Sequence, residues 1–100
     1  MPWPELTTPV PHSVGLSRPQ RPPPPGACDS HMHIFDARFA PSTHWPRTPP
    51  HAPVDAYRQL QRRLGTERAV VVTPSTYGTD NACTLDALDQ LGDAARGVAV

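Results

Sequence analysis

The chain has 100 residues, with 15 Pro, 9 Arg, no Lys, 9 acidic residues, 5 His and 2 Cys, and its net charge is zero at pH 7. This length allows one small domain and excludes a large enzyme complete within these residues. The neutral charge excludes a basic nucleic-acid surface, and two Cys are too few for a disulfide scaffold. No apolar run approaches the ~18 residues of a membrane span. We therefore expect a cytoplasmic protein that binds neither nucleic acid nor membrane.

Residues 1–26 contain 9 of the 15 Pro. Because Pro fixes φ and removes an amide donor, this composition predicts a disordered lead without helix or strand. The run of Pro at positions 22–25 is also typical of a polyproline II ligand for an aromatic-lined groove. A stiff leader and a docking segment both remain open interpretations.

From residue 27 the pattern changes, and residues 27–35 alternate between two faces. A period of two predicts a β-strand. One face would carry Asp29, His31, His33 and Phe35. A long loop over residues 36–53, with five more Pro, follows this strand.

The next element is predicted to be a helix, because apolar residues recur at helical spacing. These residues are Val54, Tyr57, Leu60 and Leu64. Pro53 at its start and Gly65 just past its end are typical helix punctuation.

The second strand is predicted over residues 69–73, an apolar and β-branched run that suits a strand buried on both faces. A turn-rich loop over residues 74–81 leads to a second helix, where Asp80 or Asn81 can supply the N-cap and Gly92 the stop. Its apolar stripe would consist of Leu85, Leu88 and Leu91. A third strand is predicted over residues 97–100.

The predicted fold is thus α/β, in the order β-α-β-α-β, which favours a parallel sheet with right-handed crossovers. Three parallel strands leave uncovered edges and faces, and a closed (β/α)8 barrel needs about 250 residues. We expect residues 27–100 to be the incomplete N-terminal part of a larger α/β protein.

His31 and His33 are the strongest candidates for chemistry. Side chains at i and i+2 on a strand project to the same side, so two imidazoles would lie together near the C-terminal end of the first strand. Such a pair can bind one divalent ion or can hydrogen-bond a substrate carbonyl or carboxylate. Active sites of parallel α/β folds lie at this end of the strands.

A structural zinc site built from Cys28, His31, His33 and Cys83 is a weaker alternative. Strand alternation places Cys28 on the face opposite both His, so we expect both Cys to be small buried packing residues.

The loop after the second strand opens on the same side as the His pair, and there we expect Ser75 and Tyr77 to contact substrate. His44 and His51 stay unassigned.

The segments GACDSHMHIFDARF, RLGTERAVVVTPSTYGTDN and TLDALDQLG together resemble the start of the amidohydrolase-related family of metal-dependent hydrolases. The resemblance covers residues 26–100 and is nearest to the branch of 2-pyrone-4,6-dicarboxylate lactonase and sugar-lactone hydrolases. It implies a (β/α)8 TIM barrel that hydrolyses a lactone, or another cyclic ester or amide, of a small carboxylic acid.

The resemblance also implies roles for His31 and His33. In most of the superfamily this pair binds a divalent metal such as zinc, which activates water, whereas in the lactonase branch it acts on substrate without an obligatory metal. Both possibilities stay open. The remaining catalytic groups would lie outside these residues, so we expect the isolated chain to be inactive.

Two competing hypotheses remain. One is a small binding module that docks through the Pro run, and the other is a different α/β enzyme.

Overall fold

The computed structural model describes residues 12–100, so the part of the Pro-rich lead up to residue 11 lies outside the described residues. Residues 12–27 contain no helix or strand. The elements that follow are β1 (Cys28–Met32), α1 (Val54–Leu64), β2 (Arg68–Val72), α2 (Ala82–Leu91) and β3 (Ala95–Val98). Two short 3-10 turns lie at Ser75–Tyr77 and Gly92–Ala94. No helix of residues 12–100 is long and apolar enough to cross a membrane.

The three strands form one parallel sheet in the order β1-β2-β3, which confirms the predicted α/β class with a parallel sheet. On the central strand Ala69 and Val71 are buried, whereas Val70 and Val72 are half-buried. The expectation that this strand is buried on both faces is therefore wrong for the described residues. Helix residues such as Val54 and Ala87 share the core with one face, and the opposite face stays partly open.

The helix boundaries agree closely with their sequence signals. Pro53 precedes α1, and Gly65 ends it in the left-handed conformation with φ of 88°, which glycine adopts without the steric cost of a Cβ. At the start of α2 the Asp80 carboxylate accepts a hydrogen bond from the Ala82 amide at 2.9 Å. The N-cap residue itself is Asn81, which makes no side-chain capping bond.

The predicted apolar stripe of α2 is partly wrong. Leu85 is 63% exposed, while Leu88 and Leu91 pack at the margin of the core. The fully buried positions of the helix are instead Cys83, Thr84 and Ala87. The helix rests on its smaller residues because it lies close to the sheet: a Cβ at Gly97 of β3 would meet Leu88 at 2.7 Å.

The first strand is shorter and less regular than predicted. It ends at Met32, and one extra residue lies between Asp29 and Met32 relative to β2, as in a β-bulge. This irregularity breaks the two-residue alternation, but Asp29 stays beside the His pair, where it accepts a hydrogen bond from the His31 amide at 3.3 Å. Its carboxylate accepts a hydrogen bond from the Tyr57 hydroxyl of α1 at 3.0 Å.

Tertiary contacts hold the long loop after β1 at both of its ends. Phe35 and Ala52 form an isolated antiparallel bridge, with N–H to O distances of 3.1 and 2.8 Å. Within the loop, the Ser42 amide donates to the Thr76 carbonyl at 2.8 Å. The loops after β1 and β2 are therefore joined beside the carboxyl ends of these strands.

Candidate active site

His31 and His33 lie together, as their spacing predicts. His31 is the fourth residue of β1 and His33 follows its end, and both side chains are exposed. The ring centroids are 5.3 Å apart, and the planes meet edge to face at 84°. Because both imidazoles are exposed and adjacent, they can act on the same bound molecule.

A backbone carbonyl orients the ring of His33. Nδ1 of His33 lies 2.8 Å from the carbonyl oxygen of Val72, the last residue of β2. A carbonyl oxygen only accepts, so Nδ1 carries the proton in this bond, and Nε2 of the neutral ring keeps its lone pair. The bond links the residue that follows β1 to the last residue of β2.

A cleft of about 450 Å³ opens beside His33. Its volume lies in the range of small-molecule sites. The lining residues that matter for the chemistry are His33, Phe35, Trp45, Arg47, Ser75 and Thr76. They come from the end of β1, the long loop after it and the loop after β2. The cleft therefore lies where active sites of parallel α/β folds are found.

The two predicted substrate contacts have different settings. Ser75 is exposed and lines the cleft with His33. Tyr77 is only 3% exposed and lies in the core. Its hydroxyl accepts from the Asp36 amide at 3.1 Å and donates to the Asp36 carbonyl at 3.3 Å. This geometry counts against direct contact of Tyr77 with substrate, because both hydrogen-bonding roles of the hydroxyl are in use.

Burial also makes Tyr77 a poor acid or base. Removal from water raises the pKa of its phenol to about 12, so the hydroxyl stays protonated at neutral pH. The local sequence explains the burial, since the 3-10 turn Ser75–Tyr77 directs Ser75 outward and Thr76 and Tyr77 inward. The composition of a loop does not predict which of its side chains point into the core.

Asp36 forms an ion-pair network beneath the loop. Two nitrogens of Arg38 contact its carboxylate at 2.9–3.2 Å, and Arg38 also contacts Asp86 of α2 at 2.6 Å. The hydrogen bonds from Arg38 hold the pKa of Asp36 below its usual range, against the opposing effect of burial. The network ties the residues after the His pair to α2.

The described residues do not complete a metal site. His31 and His33 offer two nitrogen ligands, whereas a catalytic zinc site uses three protein ligands. No group of three or more His, Cys, Asp or Glu within residues 12–100 could hold a metal ion. Zinc binding by this pair would need ligands beyond those residues.

The same finding counts against the four-residue zinc module. Cys83 is 2% exposed, and its thiol lies 3.5 Å from the Ile34 carbonyl in the core, where burial raises its pKa. Cys28 is exposed, so the prediction that both Cys are buried is wrong for Cys28. Strand irregularity and the open sheet face leave Cys28 without a covering element among the described residues.

The sequence did not indicate that the long loop over residues 36–53 contributes side chains to the cleft. Trp45 and Arg47 line the cleft together with residues that follow β2, although nothing in their spacing indicated a site. The one available signal was position, since residues 36–53 follow a strand at its carboxyl end. His44 and His51 lie in the same loop, and His51 accepts a hydrogen bond from the Ala37 amide at 3.2 Å.

Two curated relatives resemble this chain in sequence. A 4-sulfomuconolactone hydrolase of Rhizobium radiobacter is 44% identical over 69 residues, which is 67% of this chain and 23% of that protein. A 2-pyrone-4,6-dicarboxylate hydrolase of Comamonas testosteroni is 38% identical over 89 residues, 83% of this chain and 28% of that protein. The chain thus spans about a quarter of the length of these relatives, and both are named as hydrolases.

A solved structure resembles the fold. A probable 2-pyrone-4,6-dicarboxylic acid hydrolase of Acinetobacter baumannii, with citric acid bound, superimposes with a TM-score of 0.68 at 26% identity over 75% of this chain and 28% of that one. The family model described as amidohydrolase matches residues 28–100, from the first residue of β1 onward. Together with the His pair at the end of β1 and the cleft beside it, this match shows that the chain belongs to the amidohydrolase family.

Proposed function

We propose that the full-length protein carrying this chain hydrolyses a small lactone by attack of water on the ring carbonyl, with His31 and His33 acting at that carbonyl. The observation that carries the proposal is the exposed imidazole pair, 5.3 Å between centroids, beside a cleft of about 450 Å³. The relatives named as hydrolases of a sulfomuconolactone and a pyrone dicarboxylate support the substrate class.

The chemistry needs a group that stabilises charge on the carbonyl oxygen and a base that takes a proton from water. The Val72 carbonyl orients His33, and in the imidazolium form its Nε2–H can donate to the substrate oxygen. His31 adds a second donor beside it, and the exposed hydroxyl of Ser75 can bind another oxygen of the substrate. The base is a carboxylate outside this chain, so the isolated chain is expected to be inactive.

Zinc is the alternative partner of the His pair. It would take Nε2 of His33 together with a nitrogen of His31, and further ligands would come from outside the described residues. Bound there, zinc would polarise the carbonyl or lower the pKa of water. Zinc analysis of the full-length protein before and after chelation, with activity measured on both samples, separates the two versions: full activity without zinc favours the direct role.

We further propose that residues 27–100 are the N-terminal β-α-β-α-β part of a (β/α)8 barrel, and that residues 1–26 are a Pro-rich lead. Strands that pair in chain order with helices against one face, and the similarity to a solved hydrolase, support the barrel. A cytoplasmic location, with a small-molecule substrate and no nucleic-acid or membrane partner, completes the proposal.

The test of this function is substitution of the His pair in the full-length protein. His31→Asn and His33→Asn should each lower kcat/KM for a hydrolysed lactone by about 10²- to 10⁴-fold, as expected for loss of a group that acts in the transition state. His44→Asn is the matched control, because His44 is an exposed imidazole of the neighbouring loop that does not line the cleft. Activity unchanged in both His31 and His33 variants contradicts the assigned roles.

A further inference from the structure

We propose that Asp29 and Tyr57 are positioning residues for His31: the Asp29 carboxylate, held by the Tyr57 hydroxyl of α1, fixes the irregular backbone of β1 from which the imidazole projects. This role rests on the proposed function, because a fixed ring affects turnover only if His31 acts at the substrate carbonyl. Neither positioning residue needs to contact the substrate, since both act through His31.

The two imidazoles of the His pair are held differently. Nδ1 of His33 is fixed by the Val72 carbonyl at 2.8 Å. Within residues 12–100, no side-chain hydrogen bond holds the ring of His31, which meets the His33 ring edge to face with 5.3 Å between centroids. The direction in which the His31 ring points therefore depends on the backbone that carries it.

The Asp29 carboxylate fixes that backbone. The extra residue of β1 lies between Asp29 and Met32, a stretch that includes His31. Oδ1 of Asp29 accepts a hydrogen bond from the His31 amide at 3.3 Å, and a bond from a side chain to the amide two residues later is typical of an Asx turn. Bulges beside active sites re-aim side chains. The carboxylate therefore stabilises the conformation from which the His31 imidazole projects.

Tyr57 holds the carboxylate from the helix. Its hydroxyl donates to Oδ2 of Asp29 at 3.0 Å, and its side chain is 7% exposed in the core. Burial, together with the Asp29 carboxylate, raises the pKa of Tyr57 above its usual range, so the hydroxyl stays protonated and remains a donor. A residue packed in the core thus fixes one oxygen of Asp29 and leaves the other oxygen to the His31 amide.

The surroundings of this hydrogen bond separate a positioning role from a stabilising one. Asp29 is half-buried, and a cavity of about 140 Å³ is lined by Asp29, Tyr57 and His33 among others. A space of this size has room for water, which can replace a lost hydrogen bond to the carboxylate at small cost. Loss of the Tyr57 hydroxyl should therefore change the orientation of His31 more than it changes the stability of the fold.

The experiment measures lactone hydrolysis by variants of the full-length protein. Asp29→Ala should lower kcat by about 10- to 100-fold and Tyr57→Phe by about 3- to 10-fold, with KM within about twofold, because a misplaced catalytic group loses transition-state contacts rather than substrate binding. Asp29→Asn keeps one acceptor oxygen and should recover part of the turnover lost in Asp29→Ala. The double variant Asp29→Ala/Tyr57→Phe should be no slower than Asp29→Ala, because Tyr57 acts through Asp29.

Leu88→Ala is the control for a merely structural effect. Leu88 of α2 packs against the core beside Gly97 of β3, so its truncation should lower Tm at least as much as Tyr57→Phe does, yet leave kcat within about twofold. Equal losses of kcat in Leu88→Ala and Tyr57→Phe, or multiplied losses in the double variant, overturn the proposal. If Asp29→Ala does not fold, as judged by circular dichroism, Asp29→Asn and Tyr57→Phe carry the same comparison.

Crystal structures of the full-length protein and of its Asp29→Ala variant separate this role from the proposed function. The His31 ring should lie 5.3 Å from the His33 ring between centroids in the unmodified protein and should be displaced in Asp29→Ala. A displaced ring in a protein that hydrolyses no lactone supports the positioning role and contradicts the function. Hydrolysis that depends on His31, with its ring unmoved in Asp29→Ala, supports the function and contradicts the positioning role.

Discussion

β1 and β2 are both five-residue parallel strands, yet they are held in place differently. β2 pairs on both sides, and its residues Ala69 and Val71 are buried against the helices. β1 pairs with β2 alone among the described strands, contains a bulge, and leaves His31 exposed. Side chains from other elements hold the residues after β1, as the Tyr77 hydroxyl does for the backbone of Asp36.

This difference shows how the fold separates stability from chemistry. A strand that pairs with a strand on each side places side chains in the hydrophobic core, where they are not available to a ligand. A strand with one partner and irregular pairing can present imidazoles to a cleft, provided that hydrogen bonds from outside fix its end. Substitutions on the two strands should therefore affect different measured quantities.

The largest expected effect on stability is at Val71, which is completely buried on β2. Val71→Ala removes two methyl groups and leaves a cavity, so the free energy of unfolding should fall by about 2 to 3 kcal/mol. His31→Ala on β1 should change it by no more than about 0.5 kcal/mol, because that side chain is exposed. Urea denaturation of the full-length protein measures both.

Val70→Ala is the control within the same strand. Val70 is half-buried on the other face, and its truncation should cost less than about 1 kcal/mol if that face stays open in the full-length protein. A cost equal to that of Val71→Ala would mean that the second face is covered by residues outside this chain, which would sharpen the barrel proposal.

An intermediate effect is expected at Tyr77. Tyr77→Phe removes the hydroxyl that bonds both backbone groups of Asp36, and leaves a buried amide without its acceptor. The free energy of unfolding should fall by about 1 to 2 kcal/mol. Tyr57→Phe is the matched control: it loses one bond to Asp29, which is half-buried and regains water, so thermal denaturation should show a smaller shift. A larger loss in Tyr57→Phe would contradict this account of the β1 end.

The smallest effect is expected from the Asp36–Arg38 ion pair. The folded pKa of Asp36 is lowered by Arg38, so the carboxylate stabilises the fold above its unfolded pKa of about 3.9, and that stability is lost as pH falls through the folded pKa. Asp36→Asn should remove about 1 kcal/mol at pH 7 and flatten the stability profile below about pH 4. Asp89→Asn, at an exposed position of α2, should leave the profile unchanged. Parallel profiles for Asp36→Asn and the unmodified protein contradict the assignment.

The sequence was informative where a local rule determines the outcome. Pro53 and Gly65 mark the ends of α1 because they act through their own backbone, and the i, i+2 spacing of His31 and His33 brings the rings together at the end of β1. It was uninformative where two distant segments decide. The bulge in β1 depends on the register with β2, and the exposure of Leu85 depends on how closely α2 approaches Gly97.

In the candidate site, too, some positions could be predicted from the sequence and others depended on distant segments. The His pair and Ser75 were predicted because they lie at or near the carboxyl end of a strand, and the carboxyl ends of parallel strands lie on one side of a sheet. Tyr77 follows β2 equally closely, but the 3-10 turn buries it. The positions of Trp45 and Arg47 depend on the path of an 18-residue loop with five Pro, which no periodicity encodes.

The sequence by itself determined the α/β class, the helix ends and the paired imidazoles, because each follows from residues near one another in the chain. The tertiary structure decided which polar groups are available to a ligand. His33 is oriented by a carbonyl 39 residues away, and Tyr77 is engaged by a backbone 41 residues away. Long-range hydrogen bonds of this kind form only when the strands and loops pack, so the chemistry of the cleft is a property of the fold.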